Sequence, residues 1–192
     1  MAAHDEGGAE TCATIIGLMA VCGLRISEAT ALRREDVDFE RNYLHIRHSK
    51  FGKSRLVPMH PSARRALQCY ARRRDRDLQC ERREAFFVFD YGRPATTRSV
   101  HYAFRIVREA LHRRPRGGHS RYRLHDARHT FVCRRLERWY QQGIDIDRKM
   151  LALSTYIGHA SPTDTYWYVT ATPRLMALAA RRLDPLASGG VA

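Results

Sequence analysis

The sequence predicts an α+β fold, mainly α-helical with one small antiparallel β-sheet, and three observations carry that expectation. Apolar residues recur at three- and four-residue spacing along much of the chain, as at Ile15, Ile16, Met19, Ala20 and Leu24. One segment, "NYLHIRHSKFGKSRLVPMH", changes to a period of two: Tyr43, His45 and Arg47 alternate with Leu44, Ile46 and His48, and "RLVPM" follows a Gly-containing turn, a β-hairpin pattern. At 192 residues the chain has the size of one domain, able to bury roughly two-thirds of its unfolded surface.

In chain order, residues 1–9 are small and polar and are expected to form a disordered lead-in. A helix follows in "AETCATIIGLMAVCGL", punctuated by Gly23, and Ser27 before Glu28 opens a second in "RISEATALRREDVDF" with Ile26, Ala29, Leu32 and Val37 turned inward. After the hairpin, Pro61 begins a strongly basic helix, "AFFVF" reads as a short buried strand, and "TRSVHYAFRIVREALHRR" as an amphipathic helix ending at the glycines of a loop. The last third, from "LHDARHTF" to "PRLMALAARRLD", reads as four helices separated by Gly, Ser or Pro, with residues 184–192 as a flexible tail.

Thirty-four basic residues against 20 acidic ones give a net charge of +14 and a pI of about 10.3, which points to a polyanionic partner. Arginine-rich coding alone also raises charge, so motifs must decide. Five cysteines with no CxxC pair suggest neither a disulfide framework nor a zinc ribbon. The longest apolar stretch, Ala13 to Leu24, is shorter than the ~20 residues of a bilayer span. The acidic start lacks the basic region of a signal peptide, and a cytoplasmic protein is expected.

Four segments combine residues suited to phosphate chemistry. In "CGLRISE", Arg25 sits between a helix end and a helix start, where its planar fork can be aimed at a phosphate, although one arginine among so many is a weak signal. In the hairpin, Lys50 and Lys53 are two of only three lysines in the chain. A lysine can release a proton when neighbouring cations lower its pKa, which arginine does not readily do; a solvated turn is the simpler alternative. In "LHDARHTF", His125, Arg128 and His129 fall on one helical face; a metal pair of His125 and His129 lacks the Glu of an HExxH site. In "LSTYIGHASPTDTYWYVTATP", Tyr166 and Tyr168 lie seven and nine positions beyond His159. Tyrosines at such spacing are more often core, and one becomes a nucleophile only beside cations that favour phenolate.

Taken in this order, the segments resemble the catalytic domain of the tyrosine recombinases, the phage-integrase family of DNA strand-exchange enzymes, from about Ala13 to Leu183. The resemblance implies that family's DNA breaking-rejoining fold, with a catalytic domain over residues 10–183 and the usual N-terminal core-binding domain absent. By position, Arg25 and Arg128 match the pair that grips the scissile phosphate and Lys50 the general acid. His125 and His159 match the two histidine positions, Tyr168 the nucleophile, and Glu28 the acidic residue supporting the site. Lys53 and Arg55 are expected to contact DNA. The interval from Gly143 to Gly158 is about one helical turn longer than the family's, which leaves the placement of His159 open, and Tyr166 remains a second candidate nucleophile.

The implied reaction is attack by tyrosine on a DNA phosphodiester, forming a 3′-phosphotyrosine, then strand exchange and rejoining, with no cofactor and no metal. The implied partners are double-stranded DNA and further copies of the chain in a tetrameric synapse, and "TYWYVTATP" with "SKFGKSRLVP" looks closest to transposon-associated members. Two alternatives stand beside it. One is a DNA-binding fragment without independent activity, and the other is a type IB topoisomerase-like enzyme that rejoins the same strand. A metal-dependent nuclease is disfavoured by the lack of a carboxylate cluster.

Overall fold

A computed structural model describes residues 3–47, 52–78, 84–89, 92–111, 120–170 and 172–188. Residues Met1–Arg128 and His129–Ala192 are two compact units. The architecture is the expected one, mainly helical with a small three-stranded antiparallel sheet.

In the first unit, helix α1 (Ala3–Cys22) packs against the short α2 (Ile26–Thr30) and the long basic α3 (Pro61–Leu78). Its buried residues Cys12, Ile15, Leu18, Met19 and Cys22 recur at three- and four-residue spacing, and Gly23 ends the helix with φ of 65°. The sheet runs β1 (Val37–Asp38), β2 (Tyr43–Ile46), β3 (Arg55–Pro58), in that spatial order. Val37 pairs with Leu44 and Leu44 with Val57, so these buried residues share one face. Ile46, also buried, pairs with Arg55, which places Arg55 in the last strand pair before the hairpin turn. Helix α4 (Thr97–Ala110) starts with a reciprocal cap: Thr96 Oγ1 accepts from the Ser99 amide and Ser99 Oγ from the Thr96 amide.

The second unit takes all but the first turn of α5 (His125–Gln141), then α6 (Ile146–Ile157), α7 (Thr163–Tyr166), a 3₁₀ turn (Trp167–Thr170) and α8 (Pro173–Ser188). Val132, Leu136, Met150, Leu153, Ile157, Tyr168 and Leu175 form its core. Asp145 caps α6 by accepting from the amides of Asp147 and Arg148, and Gly158 closes it in the left-handed region at φ 71°.

Four sequence expectations are corrected. Helix α1 begins at Ala3, inside the expected lead-in, where Gly8 lies against the Phe89 ring and tertiary contact overrides a weak composition. The second helix stops at Thr30, because the backbone beyond it is drawn into pairing: the Phe86 amide donates to Leu32 and the Arg34 amide to Glu84. Val37 therefore lies in β1. The segment "AFFVF" forms isolated bridges at Ala85 and Val88 instead of a strand. Phe86 and Phe87 are both buried, and the Tyr70 and Thr11 hydroxyls hydrogen-bond the Val88 backbone in place of a neighbouring strand. Helix α8 runs into the expected tail as far as Ser188; it is anchored at the buried Leu175, and each further residue adds one hydrogen bond to a helix already nucleated.

Among the described residues no helix is long and apolar enough to cross a membrane.

Candidate active site

Arg25 occupies the N-cap position of α2 with extended backbone, φ −73° and ψ 151°. Its amide donates to Glu28 Oε2 at 2.9 Å and its Nη1 to Glu28 Oε1 at 2.9 Å. The i, i+3 spacing noticed in the sequence is thus a capping interaction that also grips the arginine's own side chain. Arg55 takes the other side of the same carboxylate, Nη1 to Oε1 at 3.0 Å and Nη2 to Oε2 at 2.9 Å. The Glu28 side chain is only 3% exposed, Arg55 10% and Arg25 21%, so Arg25 is the guanidinium more open to a ligand. One buried negative charge between two positive ones leaves the cluster net cationic.

Arg128 enters this region from the first turn of α5. It is fully buried, and its Nη1 donates to the Gly23 carbonyl at 2.6 Å, two residues before Arg25. His125, one turn earlier, is exposed at the start of the helix. Its imidazole is held below the usual value, first by partial burial of the ring and then by the charges of Arg128, Arg123 and Arg25. Asp126 fixes the helix start by accepting from the Arg123 amide at 2.8 Å and from the Arg123 guanidinium. The first unit therefore brings together Arg25, Glu28, Arg55, His125 and Arg128.

The hairpin gives a divided result. Lys50 lies outside the described residues. Lys53 is exposed just past Gly52, whose φ of 70° requires glycine's freedom. Arg55 does not project toward solvent as the other expected DNA contact: the ion pair with Glu28 draws it inward.

In the second unit His159 follows Gly158, and its amide donates to the Ser154 carbonyl at 3.0 Å. Its ring is oriented by a 2.8 Å hydrogen bond between Nδ1 and Thr165 Oγ1. Tyr168 is 6% exposed and its ring centroid lies 6.0 Å from that of His159 in a stacked arrangement. His129 approaches Tyr168 at 5.0 Å between centroids, and Trp167 meets Tyr168 edge-on at 5.5 Å. The unit thus brings the His159 and Tyr168 rings together.

Tyr166 is exposed and donates its hydroxyl to Asp147 Oδ1 at 2.8 Å. That hydrogen bond, more than any other influence, raises its pKa and disfavours phenolate. His129, considered in the sequence as a metal partner of His125, instead places its ring against Tyr168 and its Nε2 3.5 Å from Cys133 Sγ. Among the described residues no group of three or more His, Cys, Asp or Glu side chains is arranged to hold a metal ion. Sequence reasoning missed the roles of Arg55, Thr165 and His129. Only His129 carried a signal, its adjacency to Arg128.

The model of the phage integrase family matches residues 1–174. An integrase/recombinase by name, y4rB of Sinorhizobium fredii (strain NBRC 101917 / NGR234), is 40% identical over 171 residues, covering 88% of this chain and 54% of its own length. Tyrosine recombinase XerC of Chlamydia caviae is 32% identical over 161 residues, 84% of this chain and 47% of that protein. The crystal structure of XerA recombinase superposes with a TM-score of 0.67 at 21% identity, over 92% of this chain and 58% of that one, which is a likeness of fold. The chain spans about half the length of the curated relatives it matches. With the family's model matched over residues 1–174 of 192, the chain belongs to the phage integrase family.

Proposed function

We propose that the chain carries the catalytic part, residues 10–183, of a site-specific DNA recombinase, and that double-stranded DNA is its partner. The observation that carries the reading is the gathering of Arg25, Arg128 and His125 in the first unit: Arg128 donates to the Gly23 carbonyl, two residues before Arg25, and His125 lies one turn before Arg128 at the start of α5. Such a cluster suits a phosphate, whose charge would offset that of the arginines.

In this reading Arg25 and Arg128 neutralise the charge that grows on the non-bridging oxygens, an effect worth ~2.7 to 4 kcal/mol per donor in comparable sites. Tyr168 Oη attacks phosphorus as the bond from phosphorus to the 5′-oxygen breaks, leaving a 3′-phosphotyrosine and a 5′-hydroxyl. Lys50 supplies the proton to the departing oxygen, while His125 and His159 donate to the phosphate or carry protons. The phosphotyrosine conserves the bond energy, so a 5′-hydroxyl from a second strand rejoins the backbone without ATP. Strand exchange between duplexes calls for several copies, a tetrameric synapse in this family. The free thiols of Cys12, Cys22, Cys69 and Cys133 support action in the reducing interior of a prokaryotic-type cell.

Incubation with nicked suicide duplexes is expected to give a covalent protein–DNA adduct that Tyr168→Phe abolishes. Retardation of the duplex with no adduct from the wild-type chain would reduce the function to DNA binding. Relaxation of supercoiled plasmid without recombinant product would indicate topoisomerase-like rejoining.

A further inference from the structure

We infer that Arg55 is a positioning residue for Arg25, acting through the shared carboxylate of Glu28, and that it does not contact DNA itself; the inference rests on the proposed role of Arg25 at a phosphate. Among the described residues, Glu28 Oε1 and Oε2 accept two hydrogen bonds from Arg25 and two from Arg55. The Arg55 contacts run in parallel from two Nη atoms to two oxygens, the bidentate geometry that fixes a carboxylate plane. With that plane fixed, the direction from Oε1 to Arg25 Nη1 is fixed as well. Arg55 is less exposed than Arg25, so the order from interior to surface is Arg55, Glu28, Arg25.

The chain segments joined in this way are distinct. Arg25 lies between α1 and α2, whereas Arg55 opens β3 in the strand pair next to the turn that carries Lys50 and Lys53 in sequence. The carboxylate therefore ties the turn end of the strands to the loop that presents Arg25. A lysine at position 55 would keep the charge but could not bridge both oxygens, so the position requires a fork.

The test separates a fork from a charge and from a DNA contact. In the DNA-free 192-residue chain labelled with ¹⁵N-arginine, the Arg25 Nε–H resonance, identified by its loss in Arg25→Lys, is expected to be ordered in the wild type. In both Arg55→Lys and Arg55→Met its order parameter is expected to fall below about 0.6. Adduct formation on nicked duplex is expected to slow about 100-fold in both variants, the scale of a misplaced catalytic group, with the salt dependence of duplex binding unchanged. An Arg25 side chain still ordered in both variants overturns the inference. So does full rescue by Arg55→Lys, or a salt slope shallower by about 0.9 in Arg55→Met, the mark of a lost phosphate contact. Failure of the wild-type chain to form any adduct would instead overturn the proposed function, while the DNA-free resonance still decides the role of Arg55.

Discussion

Tyr166 and Asp147 are joined by a 2.8 Å hydrogen bond, with the tyrosine hydroxyl as donor. A carboxylate partner stabilises the protonated phenol and raises its pKa, the opposite of what a nucleophile needs. Tyr168, two residues on, has the His129 ring at 5.0 Å and the His159 ring at 6.0 Å between centroids. Tyr166→Phe is expected to keep adduct formation within a few-fold of wild type, and Tyr168→Phe to abolish it. Denaturing gels of the two variants with labelled nicked duplex check this, and an adduct lost in Tyr166→Phe but kept in Tyr168→Phe would reverse the assignment.

His125 sets a pH dependence. Its folded-state pKa lies below the ordinary value of 6.5, so around that pH the unfolded chain binds more protons than the folded one. Stability from this group is therefore present at higher pH and lost as the pH falls through about 6.5. A phosphate bound beside Arg25 and Arg128 would offset their charge and raise the His125 pKa, so DNA binding should take up a proton. Duplex affinity at constant salt is expected to rise between pH 7.5 and 6, and His125→Gln to remove most of that rise. The two chains titrated in parallel measure it.

Glu28 holds two guanidinium groups in a nearly closed environment. Glu28→Gln keeps the shape but leaves two cations with no counter-charge between them. Breaking a buried pair by removing one partner typically costs about 3–5 kcal/mol. A urea melt is expected to show a loss toward the lower part of that range, since Arg25 retains some solvent. A midpoint unchanged from wild type would mean that the pair contributes little.

At the hairpin tip the two lysines are expected to behave differently. Lys50→Arg should slow cleavage of ordinary DNA far more than Lys53→Arg, because arginine holds a phosphate but does not readily release a proton. A leaving group that needs no proton, such as a 5′-bridging phosphorothiolate, should restore Lys50→Arg alone. Equal slowing of both variants would remove the acid role from Lys50.

The local physics of the sequence was enough for the helical periods, the hairpin and the order of the motifs. The three- and four-residue recurrence of Ile15, Leu18, Met19 and Cys22 is one buried stripe, and the alternation about Leu44 and Ile46 is one sheet face. Arg25 and Glu28, or His159 and Tyr168, were legible because each pair lies within a few residues. The limits of the second helix and the conformation of "AFFVF" were not, because the backbone there is satisfied by partners far along the chain, Leu32 by Phe86 and Val88 by Tyr70 and Thr11. Arg55 shows the same division most clearly. By sequence alone it is one more arginine beside a basic turn, suited to DNA. Only the fold brings it within 3.0 Å of a buried carboxylate 27 positions earlier, whose two oxygens match the arginine's planar fork and hold the side chain inward.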